Sequence, residues 1–129
     1  MAELLAPAGS REAFAAALAS GADAVYLGGR QFGARAYASN FSDEELVATV
    51  KEAHLFGVSV YVTVNTLVDD SEIPAVAAYL RLLYEIGVDA VIVQDLGVAA
   101  IARRVAPELP LHASTQMTVH NLAGVEFIA

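Results

Sequence analysis

Three segments of the chain share one pattern: Gly21-Ala-Asp-Ala-Val-Tyr-Leu-Gly28, Gly57-Val-Ser-Val-Tyr-Val-Thr-Val64 and Gly87-Val-Asp-Ala-Val-Ile-Val-Gln94. Each glycine follows a helix-like run and opens a β-branched apolar run. A helix commonly ends on a left-handed residue, which glycine adopts without steric cost. A strand buried on both faces of a parallel sheet reads as a continuous apolar run. The glycines lie 36 and 30 residues apart, about the length of one helix–strand unit. The pattern predicts a parallel α/β array, which places its chemistry in the loops after the strands.

Composition narrows the possible functions. The 129 residues carry a formal charge of −8 and are 57% hydrophobic, enough for one core. An acidic chain is a poor generic binder of nucleic acid or anionic membrane, because neutralising phosphate needs clustered Lys and Arg. There is no cysteine, so the segment offers no disulfide, zinc thiolate, iron–sulfur ligand or cysteine nucleophile. No run approaches the ~18 apolar residues of a membrane span. Glu3, Pro7, Arg11 and Glu12 interrupt the alanine-rich start, unlike a signal peptide. The expected location is the cytoplasm.

The units follow in order. Glu3 to Ala6 reads as a first strand closed by Pro7, and Ser10 caps a helix to about Ser20. Ala24 to Leu27 is the second strand, followed by a long loop from Gly28 to Phe41; such loops are often functional. Ser42 and Glu45 form a capping box, with Phe41 and Leu46 placed as a hydrophobic staple. Val58 to Val64 is the third strand. A helix begins near Ser71, with Pro74 in its first turn and Val76, Leu80 and Leu83 on its apolar face. Ala90 to Val93 is the fourth strand. The helix after it is stopped by Pro107 and Pro110, and Leu111 to Ser114 is the fifth strand. From Asn121 onward, Leu122, Val125 and Ile128 repeat at helical spacing.

A nucleotide-binding open sheet should carry a glycine-rich fingerprint after its first strand, and Ala6-Pro7-Ala8-Gly9-Ser10 is not one. The strands instead end in small or polar residues. The reading is therefore α/β: the first five β/α units of a TIM-barrel-like (β/α)8 fold, truncated. Residues 1–129 form the N-terminal portion of one domain and end in mid-helix. An unfinished barrel exposes apolar surface, so the isolated chain is expected to form a homodimer through its open side.

In a barrel the strand ends converge on one mouth. The candidates there are Asn65, Gln94, Asp95, His112, Ser114 and Gln116, with Arg30 and Arg35 in the long loop. His112 and Ser114 lie two apart on a strand and share a face. They read either as a Ser–His catalytic pair or as a satisfied barrel histidine. Asp95 reads as a general acid or base, or as a helix cap. Asn65, Gln94 and Gln116 suit substrate binding; Asn65 and Gln94 equally suit tying loop backbones. Arg30 and Arg35 suit a carboxylate or phosphate, or local ion pairs, and Tyr37 suits stacking on a substrate or packing the loop. The acids Asp43, Glu44, Glu45, Asp69 and Asp70 sit where helix dipoles favour them. His54 and His120 lack ligand spacing, so no metal site is expected within this stretch.

Several motifs occur in the order and spacing of one family. They are Glu3-Leu-Leu-Ala-Pro-Ala-Gly-Ser10, Gly21-Ala-Asp-Ala-Val-Tyr-Leu-Gly-Gly29, Ala34-Arg-Ala36 with Asn40-Phe41, Tyr61-Val-Thr-Val-Asn-Thr66, Asp89-Ala-Val-Ile-Val-Gln-Asp95 and His112-Ala-Ser-Thr-Gln116. The chain resembles the start of the collagenase-like peptidase family of unknown catalytic type (peptidase family U, number thirty-two). The resemblance implies a TIM-barrel-like N-terminal domain and, as first expectation, a peptidase acting on peptide bonds. It also implies an alternative, because other members act in hydroxylation of tRNA or rRNA bases and use iron–sulfur clusters. An iron–sulfur cluster is thus expected, if anywhere, in the full-length protein, on cysteines downstream of this region. Peptide and RNA are the two substrate classes in view. A third expectation is a fragment without autonomous activity.

Overall fold

The computed structural model describes residues 2–34 and 40–129. It contains β1 (Leu5–Pro7), α1 (Arg11–Ala19), β2 (Ala24–Gly28), α2 (Asp43–Leu55), β3 (Ser59–Val64), α3 (Ile73–Ile86), β4 (Ala90–Val93), α4 (Leu96–Val105), β5 (Leu111–Ala113) and α5 (Leu122–Ile128). Short 3-10 turns at Asp70–Glu72 and Thr115–Met117 precede α3 and follow β5. The five strands form one sheet in the order β1-β2-β3-β4-β5, and every neighbouring pair is parallel. Strand order never reverses, which separates this array from the doubly wound open sheet.

The repeated glycine motif has one structural meaning at all three places. Gly21, Gly57 and Gly87 have φ of 82°, 70° and 94°, the left-handed region that side chains resist. The next residue turns inward: the amides of Ala22, Val58 and Val88 donate to the carbonyls of Ala17, Ala53 and Leu83, closing each helix as a Schellman motif does. The third residue then docks on the preceding strand: the amides of Asp23 and Asp89 donate to the Leu4 and Val60 carbonyls. Their side chains return the bond, Asp23 Oδ2 accepting from the Leu4 amide and Asp89 Oδ2 from the Val60 amide, each at 2.7 Å. Asp89 Oδ2 also meets His54 Nε2 at 2.8 Å. Asp89→Ala should therefore lower stability by about 1–3 kcal/mol, the cost of leaving a partly buried amide unpaired. Urea unfolding checks it; an unchanged midpoint would show that solvent serves that amide.

Alternate strand residues face the helix layer. Val25, Leu27, Val60, Val62, Val64, Val91 and Val93 are buried there, against Phe14 of α1, Leu46 and Val50 of α2, and Val76, Leu80 and Leu83 of α3. The apolar face expected for α3 is the observed one, with Tyr79 added. Small shifts of boundary have local causes. Pro7 lies inside β1 rather than closing it, because β1 is an edge strand, where a missing N–H breaks no ladder bond. Ser114 leaves β5 to cap the turn at Thr115–Met117.

The predicted capping box is present: Ser42 Oγ accepts from the Glu45 amide, and Glu45 Oε1 accepts from the Ser42 amide. The Ser42 amide, and then its hydroxyl, hold the Glu45 carboxyl below its ordinary pKa. Asp69 and Glu72 build a second box before α3, and the Ser71 hydroxyl and amide lower Asp69 likewise. A depressed folded pKa gives stability that is complete above the unfolded pKa and lost as pH falls through the folded one. Unfolding midpoints should fall on acidification below about pH 4, and less steeply in Ser42→Ala; parallel profiles would assign the acid loss to other groups.

The opposite face of the sheet is only partly covered: Ala24, Tyr61 and Ala90 form a small buried cluster at its centre, and its β1–β2 side is open. Leu5, Ala24, Tyr26, Tyr61, Ala90, Ile92 and His112 line it by register. Leu5 and Tyr26 are 43% and 37% exposed. The Tyr61 hydroxyl donates to the Glu3 carboxylate at 2.9 Å. Burial, then that carboxylate, raise the Tyr61 pKa.

Candidate functional site

At the carboxyl ends of the strands, polar side chains first secure the backbone. Ser10 Oγ accepts from the Ala13 amide and caps α1. Asn65 Oδ1 accepts from the Ala34 amide at 3.0 Å, and Thr66 Oγ1 donates to the Phe32 carbonyl at 3.1 Å. The end of β3 thus holds the first part of the long loop, where Phe32 takes a left-handed φ of 58°. Asn65 is placed as a loop tie. Beneath this loop Tyr79 is 4% exposed, its hydroxyl has no hydrogen-bond partner among the described residues, and its ring lies 6.0 Å from that of Phe32. Burial, then the charge of Asp43, push its pKa well above the ordinary tyrosine value.

Asp95 is fully engaged. Oδ1 accepts from the Gly97 and Val98 amides at 2.6 and 3.2 Å, and Oδ2 from the Val68 amide at 3.2 Å. It caps α4 and pins the β3–α3 loop, which is the cap reading of this residue. No hydrogen bond joins His112 and Ser114 among the described residues. His112 packs edge-on against Tyr61, centroids 4.8 Å apart at 73°, whereas Ser114 is buried with Oγ accepting from the Gln116 amide at 3.2 Å. Ser114 is still extended and its amide donates to the Val93 carbonyl at 2.8 Å, but its hydroxyl is spent on the turn that follows β5. Arg30 is exposed and makes no ion pair among the described residues. Arg35 and Tyr37 lie outside the described residues.

Gln94, Asp95 and Gln116 are brought together. They line a cleft of about 530 Å³ where β4 and β5 end, with Leu67, Leu96 and Met117 among its apolar walls. Leu67 and Leu96 are 71% and 55% exposed, apolar side chains presented at the rim. Sequence reasoning missed these walls, together with Phe127 and His120. Phe127 falls off the apolar stripe of α5, and His120 sits in a turn whose path no local signal sets. Nothing among the described residues groups three His, Cys, Asp or Glu side chains into a metal site. No helix among them is long and apolar enough to cross a membrane.

A sequentially ordered parallel sheet with polar side chains and a cleft at its carboxyl rim defines a class, the β/α arrays that bind their ligands where the strands end. The chain belongs to Peptidase family U32, whose sequence profile matches residues 9–129. It is 39% identical over 125 residues to tRNA hydroxylation protein P1 of Bacillus subtilis (strain 168), covering 97% of this chain and 30% of that protein. It is 40% identical over 127 residues to the 23S rRNA 5-hydroxycytidine C2501 synthase of Escherichia coli (strain K12), covering 98% of this chain and 19% of that protein. Its fold matches the solved structure of the U32 peptidase Mk0906 with a TM-score of 0.68 and 19% identity, over 92% of this chain and 51% of that one. The chain thus spans less than a third of the length of the two curated relatives.

Proposed function

We propose that this chain is the N-terminal β/α portion of a protein that hydroxylates a base of tRNA or rRNA. The observation that carries the reading is identity of 39% and 40%, across nearly the whole chain, to proteins named for tRNA hydroxylation and for 5-hydroxycytidine formation in 23S rRNA. Peptidase chemistry is supported by the family name and the fold neighbour, but the described residues supply no serine–histidine pair for it.

On this reading, β/α units beyond these residues close a (β/α)8 barrel over the open face that carries Leu5 and Tyr26. An iron–sulfur cluster does not fit this stretch, which has no cysteine and no three-ligand cluster among its described residues; its ligands would come from elsewhere in the whole protein. The charge of −8 assigns most of the phosphate grip elsewhere too. This portion contributes Arg30 at the rim after β2 and, across β3, the cleft at the ends of β4 and β5.

The full-length protein should retain a tRNA or rRNA fragment in filter binding and should cleave neither denatured collagen nor labelled peptides. Peptide cleavage without RNA retention would overturn the reading. Arg30→Ala should weaken RNA retention and flatten its salt dependence by about one phosphate contact. An unchanged salt slope would remove Arg30 from the RNA contact.

A further inference from the structure

The cleft at the ends of β4 and β5 has a definite chemical character. It is concave, walled by Leu67, Leu96 and Met117, and carries, beside Asn121 whose Oδ1 accepts from the Gly124 amide, two neutral amides, Gln94 and Gln116. Neither amide side chain has a hydrogen-bond partner among the described residues. No lysine or arginine lines the cleft, and its one carboxylate, Asp95, spends both oxygens on backbone amides. The one cationisable side chain on its wall is the His120 imidazole, so a phosphate or carboxylate would find no fixed positive charge here. A flat, uncharged ring with donors and acceptors along one edge would find both apolar faces and amides. The volume of about 530 Å³ lies within the ~300–1,000 Å³ usual for small-ligand sites.

We infer that this cleft binds a single extruded pyrimidine base, with Leu67, Leu96 and Met117 against its faces and Gln94 and Gln116 on its polar edge. A base modified on its ring must leave the stack, and it is then held by stacking contacts and by hydrogen bonds to its Watson–Crick edge. A glutamine amide offers one acceptor and two donors. It therefore complements cytosine, with N4–H donating and N3 accepting, and in the flipped orientation uracil. Thr118 also lines the cleft, its left-handed φ of 60° ending the turn at Thr115–Met117. The choice of pyrimidine rests on the proposed RNA hydroxylation; the choice of a neutral planar ligand rests on the cleft alone.

The test uses the full-length protein with cytidine, adenosine and a proline-rich peptide as probes, and RNA carrying 5-iodocytidine for photocrosslinking. Cytidine should bind more tightly than adenosine. Gln94→Ala and Gln116→Ala should each weaken cytidine by about tenfold, as loss of one buried hydrogen-bonding pair does. Crosslinks to the wild-type protein, which need no variant to fold, should fall on Leu67, Leu96 or Met117. Wild-type affinity in both variants, crosslinks confined to other strands, or occupation of the cleft by the peptide in place of the nucleoside would each overturn the inference. Hydroxylated nucleosides in cellular RNA are read separately. Cytidine seated in the cleft with RNA hydroxylation independent of the protein would keep the site and remove the function; hydroxylation that persists in both variants with crosslinks elsewhere would do the reverse.

Discussion

Phe41→Ala should destabilise the protein by about 3–5 kcal/mol, the range for truncating a buried phenylalanine. Phe41 is 2% exposed and does three things at once. It precedes the Ser42 cap as the staple residue opposite Leu46, itself fully buried. Its amide donates to the Gly28 carbonyl at 3.1 Å, and it bridges Gly29 in parallel register. It therefore seats the return of the long loop against the end of β2. Urea unfolding reads the loss; a change under about 0.5 kcal/mol, the size of an ordinary surface substitution, would show that the loop return is not anchored there.

Gly29→Ala should cost about 3 kcal/mol, the upper part of the usual overpacking range. A Cβ at Gly29 would land on the Tyr79 hydroxyl, within contact of the Leu46 side chain as well. Tyr79 has no room to yield, being 4% exposed on a helix packed into the core. The same geometry makes Tyr79→Phe neutral or stabilising alone, because the hydroxyl it removes is buried without a partner among the described residues. Tyr79→Phe should also recover much of the Gly29→Ala loss. A double-mutant cycle reads the coupling; strictly additive effects would show that the two residues do not meet.

The sequence made legible whatever local chemistry decides. Glycines at positions 21, 57 and 87 announced the helix ends. Ser42 with Glu45 announced a cap, and Pro74 the start of α3. Alternation of capped helices with β-branched runs announced a parallel α/β array, and the ordered motifs announced the family. Less legible were features made by residues far apart in the chain. Nothing local marks Asp23 and Asp89 as clamps on the strands before them, since their partners are the amides of Leu4 and Val60. Gly29 shows a turn residue, not the Tyr79 hydroxyl from α3 pressed against it. The His112–Ser114 spacing suggested a pair, but spacing does not choose partners: His112 packs on Tyr61 from β3, and the Ser114 hydroxyl caps the turn after β5. Gln94 and Gln116 were visible as polar strand ends. Their common cleft was not, because Leu67 and Phe127 reach it from two other elements.

Nucleoside mass spectrometry on total tRNA and rRNA tests the central claim most directly, comparing cells that carry the intact gene with cells from which it is deleted. The expected result is a pyrimidine nucleoside one oxygen heavier than its parent, present in the first RNA, absent from the second and restored by the full-length protein. An identical set of modified nucleosides in both RNAs, alongside peptide cleavage by the purified protein, would contradict it.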